Sequence, residues 1–163
     1  MTARAVSFEL NGAPVAALAR PLETLQSVLR DQLGMTGTKA GCRQGGCGSC
    51  TVRLDGDPVL ACLVPVEHVE GHSITTIEGL GSADALSPVQ ATFHERFAVQ
   101  CGFCSPGMIT VATALLERNP DPTRAEIAEA LAGNVCRCTG IVPIVDAIEA
   151  AASRMREGEA ATA

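Results

Sequence analysis

The chain has 163 residues, 47% of them hydrophobic and 18% charged, and its formal net charge is −6. This length suits one ordinary domain or two small ones, and the composition excludes a chain that is disordered throughout. Acidic residues exceed basic ones in both halves and no run of Lys or Arg occurs, which argues against nucleic-acid binding. No stretch approaches the roughly 18 consecutive apolar residues of a membrane-spanning helix.

The first third of the chain predicts a β-hairpin followed by a helix. Apolar residues alternate with polar or small ones at 6–10, and a second strand is predicted at 14–19 after the turn at 11–12. Leucine and valine then recur at helical spacing over 22–33. Gly34 stands where a glycine commonly ends a helix.

The segment from 37 to 50 contains five glycines and three cysteines. Such a segment can continue neither a helix nor a strand, so we expect a loop whose backbone approaches another group closely. Three short strands are predicted after it, at 51–54, 59–62 and 74–77.

After Gly79 the pattern becomes helical. Capping boxes begin at Ser87 and Thr123, and a Ser-Pro pair at Ser105 predicts a further helix start. Four helices are expected, over 87–99, 105–118, 123–132 and 143–156. The prediction is an α+β chain with a strand-rich domain at 1–79 and a helical domain at 80–163, the tail from about 158 to 163 being disordered.

The eight cysteines divide evenly, four in each half. The N-terminal residues, Met1 to Arg4, lead straight into a strand pattern without an apolar signal segment, so a cytoplasmic location is expected. In a reducing compartment, metal binding or redox chemistry accounts for eight cysteines better than four disulfides do.

The first cysteine set is Cys42, Cys47, Cys50 and Cys62, with the spacing C-x4-C-x2-C followed by a fourth cysteine. This is the spacing of plant-type ferredoxins, whose [2Fe–2S] cluster is held by four thiolates. A glycine-rich loop suits the cluster because backbone N–H groups can reach its sulfurs. A four-cysteine zinc site is the alternative, although zinc sites favour paired C-x2-C knuckles and only one pair occurs here.

The second set is Cys101 and Cys104, between two predicted helices, with Cys136 and Cys138 between two others. Both junctions can meet at one end of a small bundle. Spacing alone leaves zinc, iron–sulfur and a redox dithiol open.

Four segments together resemble the small iron–sulfur subunit of the xanthine dehydrogenase, aldehyde oxidase and carbon monoxide dehydrogenase family, the molybdenum hydroxylases. They are Gly45-Gly46-Cys47-Gly48-Ser49-Cys50-Thr51-Val52, Ile74-Thr75-Thr76-Ile77-Glu78-Gly79-Leu80, Gln100-Cys101-Gly102-Phe103-Cys104-Ser105-Pro106-Gly107-Met108-Ile109 and Gly133-Asn134-Val135-Cys136-Arg137-Cys138-Thr139-Gly140. The resemblance covers about residues 5 to 150.

The resemblance implies a plant-ferredoxin-like β-grasp domain followed by a four-helix-bundle domain, each with one [2Fe–2S] cluster. It implies an electron-transfer subunit with no catalytic residue of its own. Electrons would run from a molybdenum–pterin cofactor on a large subunit to FAD on a medium subunit, as the complex oxidises an aldehyde, an N-heterocycle or carbon monoxide. It further implies pterin contacts from Gln100 and Cys138, and a dimer of heterotrimers. A structural module with two zinc sites is the rival hypothesis.

Overall fold

The computed structural model describes residues 3–158 and has a strand-rich half followed by a helical half. The predicted α+β class is confirmed. The predicted disorder of the tail concerns residues that, apart from Gly158, lie outside the described part of the chain. Gly158 itself is the left-handed residue that ends the last helix, with φ 73°.

The strand-rich half forms one mixed sheet of five strands in the order β2-β1-β5-β3-β4. Strands β1 and β5 pair in parallel, and the three remaining neighbouring pairs are antiparallel. The strands are β1 Arg4–Leu10, β2 Ala13–Ala19, β3 Thr51–Leu54, β4 Asp57–Leu60 and β5 Ser73–Thr75. The strand predicted at 59–62 lies two residues earlier, because the chain turns at 61–63, and the strand predicted at 74–77 is one residue shorter, because the chain enters a 3₁₀ turn at Ile77–Gly79.

The helix predicted over 22–33 begins later than the sequence suggested. Helix α1 spans Leu25–Ser27 and continues into a π-helical turn at Val28–Gln32. Thr24 caps it by accepting a hydrogen bond from the Ser27 N–H, 3.2 Å away. Leu22 lies outside, exposed and in a left-handed conformation, so its place in the helical spacing is coincidental.

The helical half contains the four expected helices, α2 Pro88–Glu95, α3 Ser105–Arg118, α4 Arg124–Ala130 and α5 Ile141–Glu157. Both predicted capping boxes are confirmed. Helix α2 stops before residue 99 because the chain turns at Phe97, whose φ is 53°. Helix α5 starts two residues before Pro143, a placement that proline tolerates because the first N–H groups of a helix have no partner within it.

Each half has its own hydrophobic core. The core of the first half includes Val6, Leu25, Leu29 and Ile74, and its members lie between residues 6 and 74. The second core extends from residue 77 to residue 155 and is built by the four helices. The division at residue 79 stays a prediction, since residues on both sides of it, Ile77 and Leu80, pack against the helical core.

Ion pairs and packing join the two halves. Helix α3 packs against β3 and β4. Arg53 of β3 forms a two-pronged pair with Glu117 of α3, one contact being 2.8 Å from Nη1 to Oε1, and Arg118 pairs with Asp57. The Arg53 side chain is only 15% exposed, so water screens the Arg53–Glu117 pair less than it screens the Arg118–Asp57 pair. None of the helices formed by residues 3–158 has the length and apolarity needed to cross a bilayer.

Candidate metal centres

The first cysteine set is brought together by the glycine-rich loop and the turn after β4. The thiols form two pairs, Cys42 with Cys47 and Cys50 with Cys62. Cys50 and Cys62 are buried, whereas Cys42 and Cys47 are half-buried in the loop.

Backbone N–H groups of the loop are directed at Cys42. The N–H of Gly46 donates to its Sγ at 3.2 Å and that of Gln44 at 3.5 Å. The Gln44 N–H, followed by the Cys47 thiol, lowers the pKa of Cys42 to about 7. These donors stabilise negative charge on sulfur, as a thiolate bound to iron requires.

Burial raises the pKa of the cysteines that lie deeper in each site. It raises the pKa of Cys50 to about 12 in the first set and the pKa of Cys104 to about 12 in the second. A buried thiol of this kind stays protonated at neutral pH unless a cation replaces its proton. Both positions are therefore poorly suited to a freely reactive thiol, and a metal ion bound there would have to displace the proton.

The second set forms where two helix junctions meet. Cys101 and Cys104 lie between α2 and α3, and Cys136 and Cys138 lie between α4 and α5. The sulfurs pair across the junctions, Cys101 with Cys138 at 3.5 Å and Cys104 with Cys136. Neither pair follows the C-x2-C or C-x-C spacing.

Charge stabilisation at this site also comes from the backbone. The Phe103 N–H and then the Cys138 thiol lower the pKa of Cys101. Burial opposes ionisation of Cys136, but the Cys104 thiol and the N–H groups of residues 138 to 140 lower its pKa overall. Contact with Cys101 raises the pKa of Cys138, so the negative charge of this pair resides first on Cys101.

Four sulfur pairs in two groups fit two [2Fe–2S] clusters. In such a cluster each iron takes two protein thiolates and two bridging sulfides, so the ligands come in pairs. A tetrahedral zinc site instead gathers its ligands around one ion.

The two sites are joined at a seam between the halves. The Val135 N–H donates to the Cys47 carbonyl at 3.0 Å, and the Asn134 side-chain amide donates to the Gly48 carbonyl at 3.1 Å. A Cβ atom at Gly107 in α3 would lie 2.3 Å from the Gly48 carbonyl oxygen. The backbone of the first loop therefore contacts the second site directly.

Sequence reasoning missed this seam, although two signals for it were present. Gly107 lies in the first turn of α3, where a glycine inside a helical pattern often marks a close approach. The expectation that the segment from 37 to 50 approaches something closely is confirmed, and at Gly48 the neighbour is the other half of the chain.

Gln100 and Cys138 both lie at the exposed end of the second site. Gln100 directly precedes Cys101, whose sulfur is 3.5 Å from that of Cys138. The structure therefore brings the two candidate pterin contacts to one surface.

The chain matches two domain families over most of its length. Residues 4–92 match a 2Fe-2S iron-sulfur cluster binding domain, and residues 76–149 match a [2Fe-2S] binding domain. The resemblance stated from the motifs is therefore confirmed at the level of two [2Fe–2S]-binding domains.

Curated and solved relatives agree with the domain matches. The chain is 43% identical over 149 residues to the nicotinate dehydrogenase small FeS subunit of Eubacterium barkeri, covering 91% of this chain and 95% of that one. It superposes with a TM-score of 0.92 on a chain of quinoline 2-oxidoreductase from Pseudomonas putida 86, at 43% identity, covering 98% and 99% of the two chains.

A third relative carries the same fold inside a longer chain. The aldehyde oxidoreductase of Desulfovibrio desulfuricans superposes with a TM-score of 0.92 at 42% identity. The match covers 98% of this chain but 18% of that one.

Proposed function

Because the chain belongs to the family of small [2Fe–2S] subunits of molybdenum hydroxylases, we propose that it relays electrons from a molybdenum–pterin centre on a large subunit to FAD on a medium subunit. The observation that carries this proposal is the arrangement of eight cysteines as four sulfur pairs in two sites that touch at a backbone seam. In this role the chain is one subunit of an enzyme, and the substrate binds to another subunit.

The eight cysteines are the proposed cluster ligands. A bound [2Fe–2S] cluster supplies one-electron chemistry, and the protein sets its potential through hydrogen bonds to sulfur and through exclusion of solvent. The first loop supplies N–H donors to Cys42, and the α4–α5 junction supplies them to Cys136. The proposed ligands are Cys42, Cys47, Cys50 and Cys62 in the β-grasp half and Cys101, Cys104, Cys136 and Cys138 in the helical half.

The surface around the second site supports a partner subunit there. Nine large apolar side chains are exposed among the described residues, and six belong to the two segments that hold this site: Phe97, Val99, Phe103, Val135, Ile141 and Val142. Exposed apolar side chains concentrated in this way mark an interaction surface. A ferredoxin that works alone would have no partner to cover them.

We propose that the large subunit binds this surface. The exposed pair of Cys101 and Cys138 opens onto it, and Gln100 lies beside them. Gln100 has an amide that can donate and accept hydrogen bonds, and Cys138 has a sulfur that can accept one, so both can contact a pterin ring edge. The medium subunit would then approach the β-grasp half, the three chains forming a heterotrimer that pairs into a dimer.

The names of two relatives support a substrate class for the complex. The nicotinate dehydrogenase and quinoline 2-oxidoreductase chains are both named for N-heterocycles. We therefore propose that the substrate bound by the large subunit is an N-heterocycle. The complex purified through this chain should reduce an artificial electron acceptor with nicotinate or quinoline and much less with aldehydes. Turnover of aldehydes alone would contradict this assignment.

The metal content tests the proposal as a whole. Reduced protein examined by low-temperature EPR should show two distinct [2Fe–2S] signals, and the same sample should contain about four iron atoms per chain, two for each cluster. Zinc without an EPR signal would overturn electron transfer and leave the structural zinc module. A single signal with about two iron atoms would overturn one of the two sites.

A further inference from the structure

Phe103 lies between two proposed ligands of the helical site, yet its ring reaches the other site. A Cβ atom at Gly41, in the first loop, would lie 3.3 Å from Cε1 of Phe103 and 2.9 Å from Sγ of Cys47. The ring and the sulfur therefore flank the same point in space. Gly41 does not have a positive φ, so glycine is needed there for space and not for backbone conformation.

Ser49 completes this corner. Its Oγ would lie 3.3 Å from the same Cβ position and is 3.3 Å from Sγ of Cys47. Ser49 is buried, so its hydroxyl has little access to bulk water. The Cys47 sulfur thus has a hydrogen-bonding hydroxyl as one neighbour and an aromatic ring from the other half of the chain close by.

We propose that Phe103 is a positioning residue of the β-grasp site, whose ring shields the Cys47 sulfur from water and thereby keeps the reduction potential of that cluster low. This inference rests on the proposed function, because it takes Cys47 as a cluster ligand. Reduction adds negative charge to the cluster, and water stabilises the more highly charged form. Removing the ring admits water and so favours the reduced form.

The geometry separates this role from general packing in the helical core. Phe103 as a whole residue is 45% exposed, and it is absent from the set of side chains that build that core. Its backbone N–H serves the helical site through Cys101, while its ring faces the β-grasp loop. A side-chain substitution therefore leaves the N–H in place and changes the contact with the other site.

A redox titration followed by EPR tests the proposal on the full chain loaded with iron and sulfide. The signal that survives in Cys138→Ala is assigned to the β-grasp cluster. Phe103→Ala should raise the midpoint potential of that signal more than the other, and a tenfold change in its reduction equilibrium corresponds to about 59 mV for a one-electron couple. Phe103→Tyr, which keeps the ring, should restore the wild-type value.

Phe97→Ala is the matched control. It removes an aromatic ring from the same half of the chain, at a residue that is 84% exposed. It should leave the β-grasp midpoint unchanged. If Phe103→Ala does not accumulate, Phe103→Leu serves instead, because it removes the aromatic ring, keeps an apolar side chain and should raise the same midpoint by a smaller amount.

Two outcomes overturn the inference. One is an unchanged β-grasp midpoint in Phe103→Ala, and the other is a shift of equal size in both signals. Wild-type chain that binds no iron would instead overturn the proposed function, so the two failures can be distinguished.

Discussion

Cys138→Ala should abolish the helical-domain cluster and leave the β-grasp cluster intact. The Cys138 and Cys101 sulfurs are 3.5 Å apart and belong to the helical site. The β-grasp site has its own four cysteines and meets the helical site only at the backbone seam. Removing one thiolate leaves an iron with a single protein ligand on that side, and the cluster is lost or becomes unstable. Iron content should fall from about four to about two atoms per chain, with loss of one EPR signal.

The reciprocal variant provides the control. Cys42→Ala removes a proposed ligand of the other pair and should abolish the complementary signal while the helical one persists. Survival of both signals in Cys138→Ala would show that the ligand assignment is wrong. Loss of both signals in each variant would show that the two sites cannot form independently.

Gly107→Ala should destabilise the chain and separate its halves. The new Cβ would lie 2.3 Å from the Gly48 carbonyl oxygen, a backbone atom of the first cysteine loop that also accepts hydrogen bonds from Thr51 and Asn134. Alanine is favoured over glycine in a helix by about 1 kcal/mol, but overpacking against fixed backbone costs about 1–3 kcal/mol and outweighs it. Thermal melting should therefore begin several degrees lower, about 2–4 °C for each kcal/mol lost.

Gly133→Ala is the matched control, because the residue lies at the same seam and a Cβ there would contact nothing within 4 Å. Its melting temperature should stay close to that of the wild type. Equal stability of Gly107→Ala and the wild type would contradict the seam.

Some elements of the fold were predictable because their signals are local. Alternating residues predicted β1 and β2, and the capping boxes at Ser87 and Thr123 predicted where α2 and α4 begin. Helix ends were less predictable. Leu22 follows the helical spacing but lies outside α1, and Phe97 ends α2 early, because both adopt left-handed conformations that the apolar pattern does not encode.

The cysteine spacing was enough to predict a [2Fe–2S] site for the first set, the second set needed the family resemblance as well, and the way the sulfurs pair depends on tertiary packing. Spacing and motif identified two sets of four cysteines, because each set depends on a short loop with its own glycines or helix ends. Only the packing of α2 to α5 decided that Cys101 pairs with Cys138 and Cys104 with Cys136, across the two motifs. The contact of Gly107 with Gly48 likewise depends on how two separate cores meet, which no local pattern of residues specifies.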